Sequence, residues 1–331
     1  MRKKLEYIWP AVGLLAVVFS FWLLYEELRW MSAQDIVDSL YAITSRQYLL
    51  AFLSTIVAYW ALAWYDRIAL LHLGVNHISW VFVTLCSFTT YALAHNIGAS
   101  VFSGAMVRYR AYSSKGLSGA QIAVLVGLCS FTFILGTIIL GGVVLTANPR
   151  VLMRLDELLP DILISPTAAR LLGIAMLGFV ALYVLGSVLR MRPLTIRAFR
   201  LEYPRPEITV RQLIAAPLEL LGAAGIIYFA LPELGNPGYF VVLAVFLASF
   251  SAALISHAPG GLGVFELVFI TAMPDVPPDE VLAALLVFRL YYLLIPLALS
   301  LVVVTVFERR RLTTRWTADR NRKTKRSHTQ K

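Results

Sequence analysis

Charged and imidazole side chains stand in this chain where apolar sequence surrounds them. Asp66 falls in "WYDRIALL", Glu219 in "APLELLG", His257 and Glu266 in "SHAPGGLGVFE", and Arg289 in "VFRLYYLLIP". A charge at hydrocarbon depth costs at least about 2.5 kcal/mol, so such residues either pair with one another or serve a ligand. Counted at about 1.5 Å per helical residue from Arg211 and from Glu280, Glu219 and Arg289 both lie near mid-depth. One reading is a structural ion pair of Glu219 or Glu266 with Arg289; the other is a functional site. Asp66, beside Arg67 and nearer a helix end, either caps its helix and reaches water or joins that site. Arg108 and Arg110, in "VRYRAYSSKG", cluster with aromatics where a lipid phosphate would lie. Guanidinium groups suit bidentate phosphate contacts, although these two also read simply as topology signals.

Helix breakers accompany the charges. Pro259, Gly260, Gly261 and Gly263 interrupt the apolar run 238–273, and the run 78–107 is interrupted by "AHNIGASVFSG", with His95, Asn96 and Gly98. Irregular backbone at membrane depth is tolerated only where protein buries it or water reaches it. Each break is therefore a tight packing turn or a ligand site lined by freed backbone groups. His257 and Glu266, flanking the second break, favour the ligand site. His95 and His257 are either satisfied core imidazoles or a pair with a shared role.

What must position these residues is a set of membrane-spanning helices. The 331 residues are 59% hydrophobic and 15% charged, with a mean hydropathy of +0.74. Soluble domains carry about a quarter charged residues. Apolar runs fall at about 7–25, 48–71, 78–107, 118–146, 169–189, 212–231, 238–273 and 279–307, and spanning takes roughly 20 apolar residues. The first run follows Arg2, Lys3 and Lys4 but lacks a small-residue cleavage pattern, so it reads as a retained helix rather than a signal peptide. Cys86 and Cys129 form neither a metal-binding spacing nor a disulfide framework. The sequence holds no nucleophile elbow, Walker loop or HExxH pattern, so an enzyme, a cofactor and a resident metal are not expected.

Most of the 29 Lys and Arg lie at the N-terminus, in "RYRAYSSKGLS", around 190–211 and in the tail 308–331. The positive-inside rule makes these four stretches cytoplasmic, and the acidic "EELRWMSAQDIVDS", 147–168, "LPELGNPG" and "PDVPPDE" external. That assignment closes only if 78–107 and 238–273 each enter and leave on one side. The expected fold is thus an all-α polytopic membrane protein with six full transmembrane helices and two opposed re-entrant hairpins. Residues 1–307 form one integral membrane domain, and both termini are cytoplasmic. Residues 85–98 also align on 247–260, sharing Leu, Ser, Phe, His and Gly. The halves 48–146 and 212–307 then form an inverted repeat, a recurrent transporter architecture. The formal charge of +10 is concentrated in the tail, where it fits anionic lipid headgroups better than nucleic acid. The tail composition is that of a disordered segment.

"FSGAMVRYRAYSSKGLS", "HAPGGLGVFE" and "FRLYYLLIP", in this order, resemble the lysylphosphatidylglycerol synthase/flippase membrane-domain family, above all its stand-alone YbhN-type inner-membrane members. The resemblance covers about residues 5–307. It implies lipid translocation between leaflets of the plasma (inner) membrane and functional roles for Asp66, Arg108 and Glu219. The soluble aminoacyltransferase domain of the larger members has no counterpart in a short basic tail, so synthase activity is not implied. The expected partner is a phospholipid or other phosphate-bearing lipid, docking at Arg108 and Arg110 and passing Glu219, Glu266, His257 and Arg289. Two other readings stay open: a non-transporting partner of an envelope-lipid or glycan enzyme, and an ion-coupled solute carrier with Glu219 or Glu266 as proton site. Homo-oligomerisation is left open as well.

Overall fold

The computed structural model describes residues 32–97, 100–158, 160–189, 194–196, 199–201, 204–256 and 261–307. The expected span at 7–25, the apex residues Gly98, His257, Pro259 and Gly260, and the basic tail lie outside them. Among the described residues the helices run α1 (Ala33–Ala42), α2 (Ser45–His72), α3 (Trp80–Ile97), α4 (Ser100–Ser113), α5 (Gly119–Ala147), α6 (Pro166–Val188), α7 (Pro206–Ala230), α8 (Tyr239–Ser256), α9 (Val264–Thr271) and α10 (Pro278–Phe307). Short helical turns at Pro149–Leu155 and Asp161–Ile164 link α5 to α6.

Local sequence sets where several of these begin. Ser32, Thr44 and Ser118 each accept from the amide three residues on, while Asp35, Gln47 and Gln121 return a bond to the cap amide. Each such box satisfies two otherwise orphaned donors. Proline opens α6, α7 and α10, where its missing N–H removes a bond the helix would not have made.

Among the described residues six helices (α2, α5, α6, α7, α8 and α10) are long and apolar enough to cross a membrane, which makes the chain an all-α multi-pass membrane protein. Five of them fall on the expected spans. The sixth, α8, is the first leg of the expected second hairpin; its 18 residues extend about 27 Å, close to the full hydrocarbon thickness. Three expected loops contain structure. The first of these holds amphipathic α1 (Ala33–Ala42), which packs on the start of α10 with Ser39 Oγ donating to Asp279 at 2.8 Å. "RYRAYSS" continues α4, because Arg is a good helix former and Arg108 is buried by a partner described below. The stretch 190–205 holds a short antiparallel pair, β1 (Leu194–Ile196) and β2 (Phe199–Leu201), with Leu194 opposite Leu201.

The core forms where α7 packs along α2 and α5. Gln47 Nε2 at the start of α2 donates to the Leu231 carbonyl just past α7, at 3.0 Å, so these two helices are antiparallel. A Cβ on Gly136 of α5 would lie 2.3 Å from the Ala216 carbonyl of α7. Only glycine permits that approach, the small-residue contact by which membrane helices pack.

Two helical hairpins complete the bundle. α3 and α4 pack on each other, as do α8 and α9. His77, before α3, lies 3.2 Å from the Lys115 carbonyl, after α4, so the first hairpin starts and ends at the end of the bundle where α2 stops. Gly235, before α8, approaches Asp275, after α9; a Cβ there would lie 2.8 Å from the Asp275 carbonyl. The second hairpin therefore starts and ends where α7 stops. Since α2 and α7 are antiparallel, the two hairpins open at opposite ends.

Candidate functional site

Among the described residues three buried carboxylates organise the interior, two bridged to guanidinium groups and one not. Asp66, on α2, has no exposed surface. Arg108 of α4 reaches it with Nε, 3.2 Å from both Oδ1 and Oδ2, and with Nη2, 2.6 Å from Oδ1. Tyr112, one turn after Arg108, donates its hydroxyl to Oδ2 at 2.9 Å, and Cys129 of α5 points its thiol at Oδ1. The guanidinium also lies 4.9 Å from the Tyr91 ring centroid on α3, a cation–π contact. One buried ion pair thus ties together α2, both legs of the first hairpin and α5. Neither reading of Asp66 as a cap nor of Arg108 as a surface signal describes this arrangement. Arg110 is exposed, on another face of α4.

Glu266 sits at the start of α9. Its Oε2 accepts from the Gly263 amide at 2.8 Å, and its Oε1 accepts from Arg289 Nε at 2.6 Å. Gly261 and Gly263 take φ of +68° and +82°, the left-handed region open to glycine, which lets the chain turn sharply into α9. Arg289 begins a π-helical stretch in α10, Arg289–Leu294. Such bulges recur at functional sites. Of the two carboxylates the sequence offers as partners of Arg289, the structure selects Glu266.

Glu219, on α7, is 1% exposed. Its Oε1 accepts the hydroxyl of Tyr292 at 2.5 Å, while Oε2 has no hydrogen-bond partner. Tyr292 belongs to the π-helical stretch and is held on several sides. His95 of α3 stacks on it with centroids 5.2 Å apart at 20°, Phe288 stacks at 5.1 Å, and Tyr59 of α2 donates its hydroxyl to the Tyr292 carbonyl at 2.9 Å. Asn96, next to His95, donates to the Leu293 carbonyl at 3.1 Å. The apex of the first hairpin is thereby fixed against α10. Among the described residues no group of three His, Cys, Asp or Glu could hold a metal ion.

Of the expected site residues, Asp66 meets Arg108, Glu266 meets Arg289, and His95 with Asn96 meets the neighbourhood of Glu219. Tyr59, Tyr91, Tyr112, Cys129 and Tyr292 complete these clusters and were not among the expected residues. Only Tyr112 carries a local signal, lying four residues beyond Arg108 on the same helical face.

No family model matches the chain. It is 30% identical to the uncharacterized protein slr0712 of Synechocystis sp., over 92% of this chain and 94% of that protein. It is 32% identical to the inner membrane protein YbhN of Escherichia coli, over 76% of this chain and 77% of that one. A more distant similarity, 23% identity over 85% of this chain, is to phosphatidylglycerol lysyltransferase of Staphylococcus aureus, of which the match covers 32%. On this similarity the chain belongs to the family of stand-alone YbhN-type membrane proteins, related to part of phosphatidylglycerol lysyltransferase.

Proposed function

We propose that this protein is a carrier moving a phosphate-bearing lipid, a phospholipid or a polyprenyl phosphate, between leaflets of the plasma (inner) membrane without altering it chemically. The observation that carries the reading is a pair of carboxylate–guanidinium bridges, Asp66–Arg108 buried and Glu266–Arg289 largely so, each with one partner on the return leg of a helical hairpin. A guanidinium fork that holds a carboxylate can hold a phosphate in the same geometry. A headgroup arriving from the cytoplasmic side meets Arg110 and then replaces Asp66 on Arg108. It passes between the hairpins beside Glu219, Glu266 and Arg289 while its acyl chains stay in the bilayer.

In this reading the hairpins are re-entrant from opposite faces, and the halves 48–146 and 212–307 form an inverted repeat built for alternating access. The touching entry and exit loops of each hairpin support it. Both termini are cytoplasmic, with the basic tail on anionic headgroups. The name of the Staphylococcus aureus relative supports a phosphatidylglycerol-like substrate; its transferase activity is not part of the reading, which is non-enzymatic. The test is leaflet exchange of fluorescent lipids in vesicles containing the purified protein, read by membrane-impermeant quenching. Exchange of an anionic, zwitterionic or polyprenyl-phosphate probe above the protein-free rate is expected. No acceleration with any of the three overturns the reading.

A further inference from the structure

Glu219 is set apart from the other two buried carboxylates. Asp66 and Glu266 each hold a guanidinium, whereas no described cation lies within ion-pair distance of Glu219. Its Oε2 is buried without any hydrogen-bond partner. A bare anionic oxygen in an apolar span is costly, whereas the same oxygen carrying hydrogen is not charged at all. The groups that face it do nothing to hold a negative charge beyond one hydroxyl. They are Tyr59 and Tyr65 from α2 and Tyr292 from α10, with His95 from α3 stacked behind Tyr292. Cys129 of α5 turns its thiol to Asp66 instead, and Phe250 of α8 packs edge-on against His95.

His95 repeats the pattern. Its Nδ1 is buried and without a partner, one stacked ring away from the carboxyl. Further partnerless hydroxyls, Thr89 and Thr90 on α3 and Ser249 on α8, lie on the first legs of the two hairpins. Buried polar atoms left this way mark where water is taken up when a path opens. Glu219 is 1% exposed, and its surroundings are too poor in oxygen ligands for a metal cation. A proton needs neither space nor several ligands.

We propose that Glu219 is a proton-binding site of the carrier, with Tyr292 and His95 as its immediate neighbours on the proton path. The O–H bond at Oε2 forms with a proton taken from water on one side and breaks by returning it to water on the other; no other bond changes. Its role as an energy source for transport rests on the lipid-carrier reading above.

The experiment uses the full chain in vesicles of phosphatidylglycerol and phosphatidylethanolamine. Infrared difference spectra between acidic and alkaline buffer are expected to show a titrating carboxylic-acid band in the wild type. That band should be lost in Glu219→Gln, which keeps an acceptor for Tyr292, and kept in Glu266→Gln. Spectra of wild type and Glu219→Gln that superimpose would overturn the site. In the same vesicles an imposed pH gradient should speed exchange of fluorescent phosphatidylglycerol several-fold in the wild type and not in Glu219→Gln. Exchange indifferent to the gradient in the wild type overturns the coupling while leaving the carrier reading intact. A titrating band without any lipid exchange supports the proton site and removes the carrier reading instead.

Discussion

Arg108 grips Asp66 through two nitrogens, across 42 residues of sequence and between two helices, with both side chains buried. A pair of this kind contributes little net stability compared with apolar packing, yet breaking it from one side is expensive. Arg108→Met should therefore destabilise the fold by about 3–5 kcal/mol, because the buried Asp66 loses its counter-ion and keeps only Tyr112 and Cys129. The double variant Asp66→Leu/Arg108→Met should recover most of that loss in thermal unfolding in detergent. If the pair is where phosphate docks, the recovered protein does not move lipid. A double variant that is both stable and fully active would reduce the pair to a strut.

Tyr292 anchors Glu219, and removing its hydroxyl orphans Oε1 beside an oxygen that already lacks a partner. Tyr292→Phe should cost about 1–3 kcal/mol. Tyr59→Phe, which frees only the Tyr292 carbonyl, should cost about 1 kcal/mol. Thermal unfolding of both proteins checks the order, and equal losses would mean that the Glu219 contact is not special.

The crossing of α5 and α7 makes a packing prediction independent of charge. Gly136→Ala puts a methyl 2.3 Å from a backbone carbonyl that cannot swing away. It should destabilise by about 1–3 kcal/mol. Gly127→Ala on the same helix meets nothing within 4 Å and should be neutral to slightly stabilising through helix propensity alone, so melting temperatures of the two variants separate packing from propensity.

Hairpin geometry predicts labelling. Cysteines placed singly at His77 and Lys115 should react with an impermeant thiol reagent from one side of the membrane, and at Gly235 and Asp275 from the other. The native Cys86 and Cys129 are buried and should stay silent. Labelling of His77 and Lys115 positions from opposite sides would mean that the first hairpin crosses the membrane.

Much of this was legible in the order of residues, for a physical reason. Spanning helices are dictated by continuous apolar runs, and five of the six candidates fall where hydropathy puts them. Breaks at His95–Gly98 and near Gly261 are written in residues that end helices, and Gly261 and Gly263 take left-handed φ before α9. Pairings were not legible. Arg289 lies within reach of two carboxylates by depth alone, and only the turn at Gly263 aims Glu266 rather than Glu219 at it. "RYR" reads as a loop because its charges look solvent-bound, until α2 supplies Asp66 as a buried counter-ion. Tyr292 resembles any membrane tyrosine until the π-helical stretch turns its hydroxyl to Glu219.

Lipid movement dependent on the buried charges is reached directly by one measurement. Vesicles holding wild type or Asp66→Leu/Arg108→Met at equal protein content are loaded with fluorescent phosphatidylglycerol and quenched from outside. Wild-type vesicles are expected to lose fluorescence well beyond the outer-leaflet fraction, while those with the folded double variant stop at it, as empty vesicles do. Wild-type vesicles that stop at the outer-leaflet fraction, for this probe and for zwitterionic and polyprenyl-phosphate probes alike, would contradict the carrier reading.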